Sequence, residues 1–267
     1  MSIRHYNPRR RRHGELSPRL NGLLNAVVGI AILLQVLYPL VDGEILRLLT
    51  INVVYWGAGA MLLHALLAYG TRYAITYFLF TFIFALTIEH VGLMTQWPFG
   101  DYSYSGNLGL KIFDVPLVVP FAWIMMAHPV LTAARRIAGN WVFLYGGVAL
   151  AAWDLFLDPL MVAQGNWTWV VTGAHVPFQP EIPLSNTFGW LLSGMFLIGV
   201  LHLITPREKR KGGATFRTTD TFLLWTLFSG VIGNLFFFSR PGVAFFAGGI
   251  FGIVLAPYFF NRWLGRP

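Results

Sequence analysis

The sequence predicts an all-α polytopic integral membrane protein, a helical bundle of about eight transmembrane helices with both termini in the cytoplasm. Three observations predict this fold class. Of the 267 residues, 56% are hydrophobic and only 11% are charged, whereas soluble domains carry about 25% charged residues. The apolar residues fall into eight runs, each close to the roughly 20 residues that cross a bilayer as a helix. The basic residues are concentrated in alternate connecting segments, which is typical of membrane proteins.

The chain begins with a basic, proline-containing segment, residues 1–19. We predict that it is a cytoplasmic arm that contacts anionic lipid. Residues 20–264 follow as a single transmembrane domain. Its apolar runs predict spans over 20–41, 48–69, 73–93, 116–134, 141–163, 187–205, 219–239 and 243–260.

The positions of the charges predict the orientation. With eight spans, all 19 Lys and Arg residues except Arg47, Lys111 and Arg240 fall on the side of the two termini. Because cytoplasmic loops of membrane proteins carry the excess of basic residues, we predict a multi-pass protein of the cell membrane with cytoplasmic termini. The net charge of +8 therefore reflects topology, and no nucleic-acid partner is expected. Cysteine is absent, which excludes disulfides and thiolate catalysis.

Two long loops, 94–115 and 164–186, lie on the predicted outer side. Both are rich in aromatic residues, glycine and proline, whereas disordered linkers lack aromatics. We therefore expect them to fold over the membrane surface or to dip into it. A faint internal repeat aligns Tyr102 with Trp169 and Trp123 with Trp190. It pairs the third and fourth spans with the fifth and sixth.

Three acidic residues within the predicted spans are the first indication of chemistry. Asp154 and Asp158 lie four residues apart in the fifth span, and Glu89 lies near the end of the third. Four residues are about 1.1 helical turns, so the two aspartates share one helix face. Carboxylates at bilayer depth are costly and usually mark a proton path or a reacting centre. We interpret these acids as catalytic, the alternative being that each caps a helix or bonds to loop backbone.

A pair of neighbouring carboxyl groups suits general acid–base chemistry on an uncharged substrate, because it holds a protonated acid beside an ionised partner. Other chemistries fit less well. The sequence has no glycine-rich phosphate loop or dinucleotide fingerprint, and its seven histidines lack metal-ligand spacing. We therefore predict neither a cofactor nor a metal site. An ion-coupled transporter that uses the buried acids remains an alternative.

Several short motifs follow one another between residues 75 and 205. The motifs are Glu-His-Val-Gly from Glu89, Pro-Phe-Gly-Asp-Tyr-Ser-Tyr from Pro98, Val115-Pro116, Trp-Asp-Leu-Phe-Leu-Asp-Pro from Trp153, Gly-Asn-Trp-Thr-Trp from Gly165, and Ile-Pro-Leu-Ser-Asn-Thr-Phe-Gly-Trp from Ile182. Together they resemble the membrane-bound carotenoid hydratases, whereas the first two and last two spans contribute little.

The resemblance implies a cofactor-independent enzyme that adds water to a terminal isoprenoid double bond of an acyclic carotenoid, giving a tertiary hydroxyl. It implies a carotenoid substrate, membrane lipid and other carotenoid-biosynthesis enzymes as partners. Asp154, Asp158 and Glu89 would divide the acid and base roles, without an assignment of which acid donates the proton. The residues expected to shape the end-group pocket or to position water are Asp101, Tyr102, Tyr104, Trp153, Trp167, Trp169, Asn186 and Trp190.

Three alternatives to hydration stay open. A membrane lycopene-type cyclase generates a similar cation and quenches it within the substrate, but its Pro-x-Glu-Glu/Asp signature is not present around Pro180 and Glu181. The transporter ranks next. A non-catalytic scaffold for other carotenoid enzymes comes last, and it predicts that acid-to-amide substitutions have no effect.

Overall fold

A computed structural model describes residues 16–206 and 217–265 of the chain. In these two ranges, eight helices are long and apolar enough to cross a membrane. This confirms the predicted helical membrane bundle. The helices are α1 Pro18–Leu37, α2 Gly43–Tyr69, α3 Thr71–Thr95, α4 Val118–Ile137, α5 Val142–Ala163, α6 Leu184–Ile204, α7 Arg217–Ile232 and α8 Pro241–Leu264. A short 3-10 turn, Tyr38–Leu40, follows α1, and a π-helical turn, Gly233–Phe237, follows α7.

The predicted basic arm lies mostly outside the described residues, as do residues 207–216 of the basic loop before α7. Helix α1 begins at Pro18, inside the predicted arm, because two local signals start it there. The Ser17 side chain accepts a hydrogen bond from the backbone N–H of Leu20 at 3.2 Å. A proline at the first helical position also has the backbone angle that a helix start requires.

Helices α4 and α5 form the centre of the bundle and are its most buried spans. Helix α5 packs closely along α6, and small residues permit the approach. A Cβ atom at Gly194 of α6 would lie 3.0 Å from Cα of Gly147 on α5. Small residues are common at helix–helix contacts in membranes because they let two backbones come together.

The two long loops are ordered and contain short β-strands, which the all-α prediction missed. Strands of two to five residues are too short to show an alternating pattern in an aromatic-rich sequence. They form three antiparallel pairs: β1 Tyr102–Tyr104 with β4 Trp167–Trp169, β2 Lys111–Ile112 with β3 Val115–Pro116, and β5 His175–Val176 with β6 Gln179–Pro183.

Two pairs of residues that the internal repeat aligns lie against each other in the structure. Tyr102 pairs with Trp169 across β1 and β4. The rings of Trp123 and Trp190 stack with their centroids 4.1 Å apart and their planes 8° apart. Both contacts join the α3–α4 unit to the α5–α6 unit, so these two pairs lie at the junction of the two units.

Substituting Gly189 by Ala is expected to loosen the first loop. An added Cβ at this position of α6 would lie 2.6 Å from Cδ1 of Phe99 and 2.9 Å from the carbonyl oxygen of Pro98. Overpacking of this kind costs about 1–3 kcal/mol, so thermal unfolding in detergent should occur at a lower temperature. Gly59→Ala on α2 is the control, because an added Cβ there meets no atom within 4 Å. An equal or higher midpoint for Gly189→Ala would contradict the packing described.

Candidate active site

Three buried carboxyl groups come together near the loop-side ends of α3 and α5. Glu89, Asp154 and Asp158 are only 4%, 1% and 3% exposed. The carboxyl groups of Asp154 and Asp158 are held side by side, because one amide nitrogen, Nδ2 of Asn186, donates to an oxygen of each. Two neighbouring carboxyl groups can share one proton, which suits this pair to general acid–base chemistry.

Asn186, in the first turn of α6, holds the aspartate pair from the neighbouring helix. Its Nδ2 donates to Oδ2 of Asp154 at 3.1 Å and to Oδ2 of Asp158. Nε1 of Trp167, on β4, donates to Oδ1 of Asp158 at 3.2 Å. Among the described residues, no N–H or O–H group donates to the buried Oδ1 of Asp154. The amide and the indole therefore fix both carboxyl groups in place.

Glu89 accepts hydrogen bonds from three aromatic side chains. The hydroxyls of Tyr102 and Tyr104 each donate to its Oε2 at 2.8 Å, and Nε1 of Trp123 donates to its Oε1 at 3.1 Å. Burial, followed by the nearby Glu89 carboxylate, raises the pKa of Tyr102 and of Tyr104 above the ordinary value of 10. Both hydroxyls therefore keep their protons at physiological pH and remain donors to Glu89.

Glu89 and Asp158 line one narrow cavity of about 50 Å³, here called the acid cavity. Asp154 is not among the lining residues and lies behind Asp158. Seven of the other sixteen lining residues are aromatic, which suits a cationic intermediate because the faces of aromatic rings attract positive charge. The aromatic lining residues are Phe99, Tyr102, Tyr104, Trp123, Trp167, Trp169 and Trp190.

The loops reach the acid cavity through the β1–β4 pair. Tyr102 stacks on Trp169 with ring centroids 6.0 Å apart, and Tyr104 meets Trp167 edge to face at 5.7 Å. Nε1 of Trp169 also donates to the carbonyl oxygen of Phe99 at 3.2 Å. The two loops therefore close the end of the cavity as one interlocked unit.

Most of the predicted pocket residues line this cavity, but two do not. Asp101 is exposed, and its backbone oxygen accepts a hydrogen bond from Val170 at 2.8 Å. Trp153 is buried outside the acid cavity, where its ring packs edge to face on Trp190 at 5.7 Å. The predicted residues that line the cavity are Tyr102, Tyr104, Trp167, Trp169, Asn186 and Trp190.

Trp123 on α4 is a functional candidate that sequence reasoning did not place in the site. It hydrogen-bonds to Glu89 and stacks on Trp190. The only signal for it in the sequence was its alignment with Trp190 in the internal repeat. Thr50 and Val54 of α2 also line the cavity, and no motif marks either residue.

Comparison with known proteins assigns the family. The sequence pattern of a family described as carotenoid biosynthesis protein matches residues 49–255. This chain belongs to that family. The matched range contains all three carboxyl groups, Asn186 and the aromatic residues of the acid cavity.

A curated protein is also similar to the chain. Bisanhydrobacterioruberin hydratase of Haloarcula japonica is 30% identical over 165 residues, which cover 58% of this chain and 54% of the relative. The chain therefore matches about half the length of that relative. No solved structure matches the chain.

Proposed function

We propose that this protein adds water to a terminal carbon–carbon double bond of an acyclic carotenoid and produces a tertiary alcohol. The observation that carries the proposal is a pair of buried aspartates, bridged by Asn186, beside a small cavity that has aromatic residues and a third carboxyl group in its wall. Membership of the carotenoid biosynthesis family supports the substrate class. The hydratase named among its relatives supports the reaction type.

Protonation of the double bond is the first step of the proposed reaction. Asp158 lines the cavity, so we assign it the role of general acid, with Asp154 as the partner that shares its proton. The proton forms a C–H bond at the alkene carbon that carries a hydrogen, using the π electron pair. The positive charge is left on the carbon with two methyl groups, where Glu89 and the aromatic rings stabilise it.

Capture by water completes the reaction. The water oxygen forms a C–O bond with the cationic carbon, and the proton that it releases returns to the aspartate pair. One water is added and the aspartate pair regains its starting state. No electrons are gained or lost, so the scheme needs no redox cofactor.

The charge pattern supports an orientation for this site. With the termini in the cytoplasm, the loop-side ends of α3 and α5 face outward, and the acid cavity lies in the outer half of the cell membrane. A carotenoid end group would then react inside the bilayer, close to its outer surface.

The proposal is tested by expressing the protein in a bacterial host that accumulates an acyclic carotenoid and identifying the product. The pigments are separated by chromatography, and their masses are determined by mass spectrometry. Hydration predicts a product heavier by one water with an unchanged visible spectrum, because the conjugated chain is not altered. A product of unchanged mass would indicate the cyclase instead, and unaltered pigment would contradict the proposal for that substrate.

Tyr104→Phe is expected to lower the hydration rate about 10- to 100-fold. The substitution removes a hydrogen bond to the carboxyl group of Glu89, and hydrogen bonds to charged groups contribute about 1.5–3 kcal/mol. Initial rates of product formation by the purified protein measure the effect. Tyr55→Phe is the matched control, because no hydrogen bond joins its half-buried hydroxyl on α2 to a described residue. Equal rates for the two variants would show that the Tyr104 hydroxyl has no role.

A further inference from the structure

A second and larger cavity of about 320 Å³ lies between α1, α2, α5 and α7. We call it the lateral cavity. Pockets that bind small molecules typically enclose about 300–1,000 Å³, a range that the lateral cavity reaches and the acid cavity of about 50 Å³ does not. The acid cavity has room for an end group only, so the rest of a long substrate needs another place.

The two cavities share part of their walls. Thr50 and Val54 of α2, together with Leu157 and Met161 of α5, line both of them. Leu157 directly precedes Asp158, the carboxyl group that lines the acid cavity. A molecule in the lateral cavity is therefore separated from the acids by only these few side chains.

The lateral cavity opens toward the lipid-facing surface of the bundle. Three of its lining residues, Val36 on α1, Phe228 on α7 and Phe237 after α7, are 44%, 56% and 51% exposed. All three are apolar and belong to predicted membrane spans. The opening therefore faces hydrocarbon, and an apolar molecule reaches it from the bilayer without crossing water.

The lining favours a neutral, flat hydrocarbon over a phospholipid. None of the described lining residues is charged, so a phosphate headgroup would find no counter-charge there. Aromatic side chains supply much of the wall and offer flat surfaces to a conjugated chain. They include Tyr38, Trp153, Phe156, Phe222, Trp225 and Phe238.

We propose that the lateral cavity binds the conjugated chain of the acyclic carotenoid next to its reacting end. The substrate enters sideways from the bilayer between α1 and α7, and only the terminal double bond reaches the acid cavity. The identity of the ligand rests on the proposed function, whereas the existence of a binding site for a long apolar chain does not.

Filling the lateral cavity tests the proposal by direct binding. Ser229→Trp places a large ring in this cavity from α7, and Leu224→Trp places the same ring on the exposed face of the same helix. Both are made in a chain that also carries Asp158→Asn, so that binding is measured without turnover. Lycopene binding to protein in nanodiscs of fixed lipid composition is followed by the shift of the polyene absorption bands.

The expected result is about tenfold or more weaker lycopene binding for Ser229→Trp and an unchanged affinity for Leu224→Trp, because a filled cavity must be repacked before it accepts a chain. Val53→Phe, which narrows the same cavity from α2, should weaken binding in the same way if Ser229→Trp fails to fold. Unchanged lycopene binding in both filling variants would overturn the proposal. Loss of co-purified phospholipid with unchanged lycopene binding would assign the cavity to lipid instead.

The binding and activity results separate this proposal from the proposed function. If the Ser229→Trp variant with Asp158 intact hydrates the carotenoid at the wild-type rate, carotenoid binding in the lateral cavity is refuted and the proposed hydration is not. The opposite outcome is that Ser229→Trp weakens lycopene binding but the protein does not change the mass of lycopene. This outcome would refute hydration and support carotenoid binding in the lateral cavity.

Discussion

Asp158→Asn is expected to reduce carotenoid hydration about 10²- to 10⁴-fold, the contribution typical of a general acid. An amide has nearly the size of the carboxyl group, so the fold should persist, but it cannot deliver the proton to the double bond. Asn186 and Trp167, which now donate to Asp158, would face an amide. Product formation in carotenoid-accumulating cells, normalised to the amount of protein in the membrane, measures the effect.

Asp114→Asn is the matched control for this substitution. Asp114 is exposed, lies in the loop between α3 and α4 and has a φ of 63°, a conformation that Asn adopts readily. Hydration by this variant should stay at the wild-type level. Full activity of Asp158→Asn would contradict the assignment. Loss of activity in Asp154→Asn alone would transfer the role of acid to Asp154.

Glu89→Gln is expected to lower the hydration rate about 10²- to 10³-fold, the range found when one preorganised stabilising group is removed from an active site. The negative charge that stabilises the cation is lost. Two tyrosine hydroxyls and one indole N–H now donate to the carboxyl group. Because the amide of Gln is itself a donor on one side, at least one of these hydrogen bonds is lost as well.

The test of Glu89 measures the rate at saturating carotenoid, so that an effect on the cation is separated from an effect on binding. Glu44→Gln is the control, because the Glu44 side chain is 65% exposed and its ion pair with Arg47 lies at the surface, where such pairs contribute little. If Glu89→Gln weakened only the apparent affinity for the carotenoid and left the rate unchanged, Glu89 would be a binding residue instead.

The helical part of the fold was predictable because membrane spans are long and uniformly apolar. Eight runs of about 20 apolar residues leave few alternatives. The boundaries at Pro18 and Thr95 differ from the predicted ones by about two residues, whereas α2 begins at Gly43, about five residues before its predicted start. The strand pairing of Tyr102–Tyr104 with Trp167–Trp169 was not predictable in the same way. It depends on contact between two loops far apart in sequence, and each strand is too short to carry a pattern of its own.

The candidate site was predictable where its residues are unusual for a membrane span. Asp154, Asp158 and Glu89 stood out because acids are costly in an apolar run. Trp123 did not, because a tryptophan in a membrane helix is ordinary and its role depends on contacts with α3 and α6. Asp101 was included because it belongs to a motif, yet its side chain is exposed to solvent or headgroups.

The lateral cavity could not be inferred from the sequence. Most of its residues come from α1, α2, α5 and α7, and most are apolar or aromatic residues of the kind that membrane helices use for packing. Only the arrangement of the four helices shows that these side chains leave space between them.

Incorporation of oxygen from labelled water tests the central claim most directly. Purified wild-type protein in nanodiscs is incubated with an acyclic carotenoid in water enriched in the heavy oxygen isotope, without added cofactor. The mass of the product is then determined by mass spectrometry. Hydration predicts a product that gains one water and whose new oxygen carries the label of the solvent, with no such product from Asp158→Asn. A product without the label, or an isomer of unchanged mass, would contradict hydration by this protein.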